Sequence, residues 1–172
     1  MANIRGMVEG LVVGSTMLAM LVSPFVRTAS AAEGRIRVLS ETPLSPAADI
    51  PADVRKECND LGDELPKAIV RANRNVTLVP TPAALQEKTG RYLFVEIVNV
   101  KARAAGALSG PKDMTVRGAL IENGKEIADF EAKRGSYAPS GTCTMLQKTE
   151  KELGSEIGQW LEHPRPHTHF SN

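Results

Sequence analysis

Asn123-Gly124 lies between Met114–Glu122 and Lys125–Arg134, two runs in which apolar and polar residues alternate. A two-residue loop that matches the twist of a hairpin needs positive φ at both central positions, which Asn and Gly accept at least cost. The dipeptide therefore calls for an antiparallel pair. If the loop is those two residues alone, Leu120 stands opposite Ile127, Ala119 opposite Ala128, Met114 opposite Lys133 and Asp113 opposite Arg134. Phe130 then faces away from Ile127, so a second layer meets one of them or a bulge intervenes.

Upstream, residues 91–103 read RYLFVEIVNVKAR, rich in β-branched and aromatic residues. Leu93, Val95 and Ile97 fall on one face and Tyr92, Phe94, Val98 and Val100 on the other, as in a central strand covered on both sides. With the hairpin it makes a three-strand meander. Gly34–Leu39 adds a short half-buried strand, and Asn75–Val79 a short extended piece. Glu41–Ile50 holds Pro43 and Pro46, with Pro51 just beyond, and reads as a loop. One helical turn is expected near Ala83–Lys88.

Two segments carry the helical period. Val54, Cys58, Leu61, Leu65, Ile69 and Ala72 form one apolar stripe, which Pro66 divides into a short piece around Asp53–Asp60 and a main helix from about Asp63. Thr142 is placed to cap a last helix, whose stripe is Cys143, Leu146, Leu153, Ile157 and Trp160 and whose end is set by Pro164. The order strand, helix, meander, helix predicts an α+β fold of two layers: an antiparallel meander sheet with two helices packed on one face.

The N-terminus is set aside before that fold is counted. Arg5 precedes a mostly apolar run from Leu11 to Phe25, and Ala29-Ser30-Ala31 supplies small residues at a cleavage site, the layout of an export signal. Residues 1–32 are expected to be a signal peptide removed after Ala31 or Ala32, residues 33–163 a single domain and residues 164–172 a flexible tail. An uncleaved anchor is the alternative, but Pro24 and Arg27 bound the run too early for a full crossing. Removing residues 1–32 takes Arg5, Arg27 and Glu9 with it, so 21 basic and 20 acidic residues become 19 of each. A neutral mature chain does not point to nucleic acid or to an anionic membrane surface.

The chain has two cysteines, Cys58 and Cys143. In the oxidising periplasmic or secreted location that a signal implies, a disulfide is the default, with separate buried thiols or a redox couple as alternatives. Their spacing is not that of a thioredoxin-like pair. A bridge would staple the first helical segment to the last.

These residues carry a resemblance. Cys58, Leu65-Pro66, Gly110-Pro111-Lys112, the run Gly118-x-Leu120-x-x-Asn123-Gly124-Lys125, Phe130, Arg134, Cys143, Trp160-Leu161 and Pro164 together resemble an uncharacterised family of small exported bacterial proteins. The resemblance spans most of the mature chain and implies export and a compact fold. The layout is also similar to α+β domains of periplasmic and outer-membrane-associated assembly proteins, and fold alone does not give function.

Motifs that carry chemistry are few. His163, His167 and His169 cluster in HPRPHTHF, but Pro164 and Pro166 keep a helix from presenting the rings together, so no metal site is assigned. Ser136, Ser140 and Thr142 have no histidine in the body of the domain to act as base, and Gly135–Gly141 lacks the lysine of a phosphate loop. No catalytic residue and no cofactor is assigned. The one binding cluster expected is Arg103, Lys112, Lys133, Arg134, Ser136 and Tyr137, gathered at one end of the meander beside the N-terminus of the last helix, where they would meet a small anion or an acidic group of an envelope protein. The competing reading is a plain Asp113–Arg134 ion pair across the strands. The function class that results is an exported binding or envelope-assembly accessory module; the alternative is an enzyme with an unfamiliar carboxylate or metal site.

Overall fold

The computed structural model describes residues 34–85, 89–102, 112–136 and 140–171. The expected signal segment, Arg103 and Tyr137 lie outside them. At the centre is the meander: β4 (Arg91–Lys101), β5 (Lys112–Glu122) and β6 (Lys125–Ser136), antiparallel throughout. Asn123 has φ 51° and Gly124 φ 78°, the conformation the turn requires.

The register holds for two pairs and then shifts. Glu122 pairs with Lys125 and Ile121 with Glu126, but Leu120 pairs with Ala128, so Ile127 is the extra residue of a bulge. Met114 therefore stands opposite Arg134 and Asp113 opposite Gly135, each one residue from the bulge-free expectation. Packing supplies the reason. The shift turns Ala128, Phe130 and Ala132 into the core with Leu120, Val116 and Met114, and leaves Ile127 37% exposed. Phe130 is worth the distortion: its ring lies over Gly118 and meets Trp160 edge-on at 5.0 Å between centroids.

The flanks of the sheet are parallel where a plain meander would have kept every neighbour antiparallel. β1 (Ile36–Leu39) lies between β3 (Val76–Val79) and β4, parallel to both, and β2 (Leu44–Asp49) also joins β4 in parallel. Parallel neighbours need a crossover. Between β1 and β3 it is supplied by α1 (Ala52–Glu57) and α2 (Glu64–Ala72), with Pro66 in the first turn of α2 as its ring demands. The expected loop at 41–50 is thus partly a strand, though an irregular one, pairing with β4 at Leu44 and Asp49 across a register shift around Pro46. The helical turn expected near Ala83 is a 3-10 turn at Pro82–Leu85.

The helix layer is α2 against α3 (Thr142–Trp160). Gly141, not Thr142, is the N-cap of α3, and Thr142 is its first residue. Gly154 and Gly158 let the helices approach until a Cβ at either would collide with Ala68 or Ala72. Of the expected stripe of α3, Leu146, Leu153, Ile157 and Trp160 are buried and Cys143 is half-buried, and Met145, Thr149 and Glu150 are buried with them. Glu150 is wholly enclosed, its two oxygens accepting the backbone N–H groups of Gly62 and Glu64, each at 2.9 Å. It thereby serves the free N-terminal amides of α2 from another helix. Burial pushes its carboxyl above the usual range, against the pull of those N–H donors.

Cys58, at the C-cap of α1, is bonded to Cys143 in the first turn of α3, with 5.3 Å between their Cα atoms. The last correction falls at the C-terminus. Thr168–Ser171, expected within a tail, form β7, parallel to β6. Three contacts hold it: Trp160 Nε1 donates to Thr168 Oγ1 at 3.1 Å, Phe170 packs on Phe130, and His167 is tied to Asp129. The result is a two-layer α+β fold with its helices on one face of the sheet. Among the described residues no helix is long and apolar enough to cross a membrane.

Candidate functional site

Of the cationic cluster expected at the end of the meander, Arg103 and Tyr137 lie outside the described residues, and Lys133 and Arg134 are not brought together. Neighbouring residues of a strand point to opposite faces, so Lys133 and Arg134 part company. Lys133 lies on the uncovered face, 3.9 Å from Asp113, while Arg134 turns to the helix side and pairs with Glu156 of α3. Lys112 and Ser136, opposite one another, share that helix side and are buried. The Asp113–Arg134 pair is replaced by Asp113–Lys133 and Arg134–Glu156.

The uncovered face carries a different feature. Read across β4, β5, β6 and β7, Glu96, Arg117, Glu131 and His169 stand side by side. The next row is Phe94, Ala119 and Asp129. Phe94 was expected under a covering layer and is instead 38% exposed. Ala119 and the backbone of Gly118 leave a depression beside it, a groove of about 440 Å³ walled by Arg117, Glu126, Asp129, Glu131, His167 and His169. The bulge at Ile127 is what assembles this wall. Without it Glu126 would share a face with Ala128 and Phe130, whereas the extra residue puts Glu126, Asp129 and Glu131 on one side.

The charges of the wall are not evenly matched. Arg117 Nε donates to Glu96 Oε1 at 2.5 Å, and Glu96 is itself almost fully buried. Asp129 accepts the His167 backbone N–H at 2.9 Å and lies 3.1 Å from its ring. That backbone N–H, followed by the ring, holds the Asp129 carboxyl below the usual carboxylate range. Glu126 and Glu131 are exposed and have no such partner among the described residues. The groove is therefore acidic, with an aromatic floor.

The Thr168 hydroxyl, which also lines the groove, donates to the Arg165 carbonyl and accepts from Trp160, so both its roles are committed. Among the described residues no three His, Cys, Asp or Glu side chains are grouped so as to hold a metal ion. Sequence reasoning missed this groove because Glu126, Asp129 and Glu131 are spaced three and two apart, which becomes one face only through the bulge.

No family model matches the chain, and no curated protein matches it. Similar solved structures include a Xanthomonas campestris protein described with the DUF330 family, 11% identical, covering 75% of this chain and 83% of that one with a TM-score of 0.49. A PelC dodecamer from Paraburkholderia phytofirmans is 14% identical over 73% of this chain and 90% of its own, with a TM-score of 0.47. A minor lipoprotein from Acinetobacter baumannii is 14% identical over 73% and 91%, with a TM-score of 0.40. None of these similarities identifies an activity or a partner for this chain.

Proposed function

We propose that the chain is exported, loses its signal after Ala31 or Ala32, and works in the periplasm or outside the cell as a binding or envelope-assembly module that meets its partner on the open face of the sheet. The observation that carries this reading is the groove itself: an exposed phenylalanine beside two carboxylates with no basic partner among the described residues, on the face the helices leave bare. Soluble domains usually clothe such a face with isolated, paired charges, and a concave patch of aromatic and unpaired charge is where a partner gains most from docking. The Cys58–Cys143 bridge agrees with an oxidising compartment.

The test is a photo-crosslinking residue placed at Phe94 in cells of the native host, with a second at Ser155 on the helix side as control. Adducts in the envelope or culture fluid from position 94 and none from 155 are expected. Adducts from 155 alone would move the docking surface to the helices and end this reading. Intact mass of the same material tests export, since a species retaining Met1–Ala31 contradicts cleavage.

A further inference from the structure

The floor and walls of the groove specify more than a docking face. Phe94, Ala119 and Asp129 form one row, and Arg117, Glu131 and His169 part of the next, so a strip of apolar floor leads from the Phe94 ring across Ala119 to a line of carboxylates on β6. A side chain lying along that strip must be long, unbranched and apolar for most of its length, because Ala119 leaves room for a stem and little else to bond with. It must end in a positive charge, because Glu131 and Glu126 stand at the strip's end with no basic partner among the described residues. Lysine and arginine have that construction, an aliphatic stem that covers apolar surface and a charged head that seeks a carboxylate. The Phe94 face adds attraction for the same cations.

The spacing along β6 selects the shape of the ligand. Glu126 and Glu131 stand on the same side of β6, four ladder places apart once the extra Ile127 is discounted, roughly 13 Å. Alternate residues of an extended peptide repeat at roughly 7 Å on one side, so its positions i and i+4 reach both carboxylates. The other ionic pairs of this face, Glu96 with Arg117 and Asp113 with Lys133, are closed within the fold and do not compete. Anionic partners, including nucleic acid, meet repulsion at Glu126 and Glu131.

We infer that the groove receives an extended basic segment of a partner protein, with lysine or arginine stems on Phe94 and Ala119 and their heads against Glu131 and Glu126. This rests on the reading of the open face as the docking surface and adds the chemistry of what docks there.

The experiment uses the purified mature protein and a capped hexapeptide of alternating lysine and threonine, with a glutamate–threonine peptide as control. Backbone amide shifts on titration locate the contact, and the same series gives Kd. Shifts confined to β4, β5, β6 and β7 are expected. Glu126→Gln with Glu131→Gln should weaken binding about fivefold or more, in line with up to about fivefold for each exposed pair. Phe94→Ala should weaken it as well, and about 1 M salt, where the screening length is roughly 3 Å, should abolish it. Glu131→Lys should transfer binding to the glutamate peptide. These are surface positions, and an unchanged melting temperature checks that each variant is folded. The inference is overturned if the lysine peptide produces no open-face shifts, if both peptides bind alike, or if binding ignores the carboxylate substitutions. It is equally overturned if sedimentation shows that the free protein dimerises and Phe94→Asp abolishes the dimer, for then a second copy fills the groove. Crosslinking from position 94 that persists while the lysine peptide is ignored would sink the basic segment and leave the docking face standing.

Discussion

Replacing Cys58 and Cys143 together by Ala should cost this domain about 4.6 kcal/mol. The two residues are separated by 85 positions. Opening a loop of that length in the unfolded chain returns the closure entropy that the bridge removes, about 4.6 kcal/mol at 25 °C by the chain-entropy relation. That is a large share of the roughly 5–15 kcal/mol available to a domain. For a chain of this size about 3–5 °C of melting temperature goes with each kcal/mol, so a fall of roughly 15 °C is expected. Guanidinium unfolding of the oxidised protein and the double variant provides the assay, because it reads two quantities. The midpoint should fall, and the slope m should rise as the unbridged unfolded chain expands and exposes more surface. An unchanged midpoint would refute the entropy argument. A lowered midpoint with unchanged m would place the loss in the native packing around Cys58, which is buried, and not in the unfolded chain. Thiol labelling of denatured, unreduced wild type should find neither cysteine free.

Three further outcomes follow from the same structure. Burial raises the folded-state pKa of Glu150, so the stability tied to that group is fully present below its ordinary value of 4.5 and is lost as pH rises through the raised one. Wild type should therefore lose melting temperature relative to Glu150→Gln as pH is raised from about 4.5, and the opposite slope would mean that the Gly62 and Glu64 amides, not burial, set the balance. Gly154→Ala should destabilise by about 1–3 kcal/mol despite the better helix propensity, since its Cβ meets the Leu65 carbonyl and Ala68; urea midpoints that hold or rise would show that α2 and α3 have slack. Asp129→Ala should speed hydrogen exchange of the His167 and β7 amides while leaving α2 unchanged, and unchanged exchange throughout would assign the hold on β7 to Trp160 and Phe170 alone.

What could be read from the chain was what local chemistry decides. Asn123-Gly124 accepts positive φ, and the turn is there. Pro66 fits only the first turn of a helix, and α2 begins two residues before it. The paired cysteines are joined. What failed depended on distant partners. Pro43 and Pro46 argued for a loop because the sequence does not reveal that β4 offers a free edge to Leu44–Asp49, where a proline costs little. Pro164 and Pro166 likewise argued for a tail, yet Thr168 and Phe170 find Trp160 and Phe130 waiting beyond the end of α3. Glu150 was legible in principle, lying four residues after Leu146 and three before Leu153 on their own stripe. A glutamate at such a position reads as an interruption until the unpaired amides of α2 are seen above it.

The groove and the parting of Arg134 from Asp113 trace to one residue. Counting from the turn with no bulge brought Asp113 to Arg134 and Met114 to Lys133, and with them a converging patch of positive charge. The structure inserts Ile127, which moves every later residue of β6 by one place against β5. A shift of one exchanges the faces of a strand, so Phe130 goes into the core, Arg134 turns to Glu156, and Asp129 and Glu131 come out beside Phe94. The energetic cause lies in Phe130: it fits only over Gly118, where no Cβ stands in the way of its ring, and against Trp160 of α3. The acidic wall is thus the far-side consequence of packing one aromatic ring. Deleting Ile127 would remove the bulge yet leave Ala128 opposite Leu120 and Asp129 and Glu131 on the open face, so it would not unmake the wall, and substitutions of Glu126 and Glu131 are the cleaner probe of what that face binds.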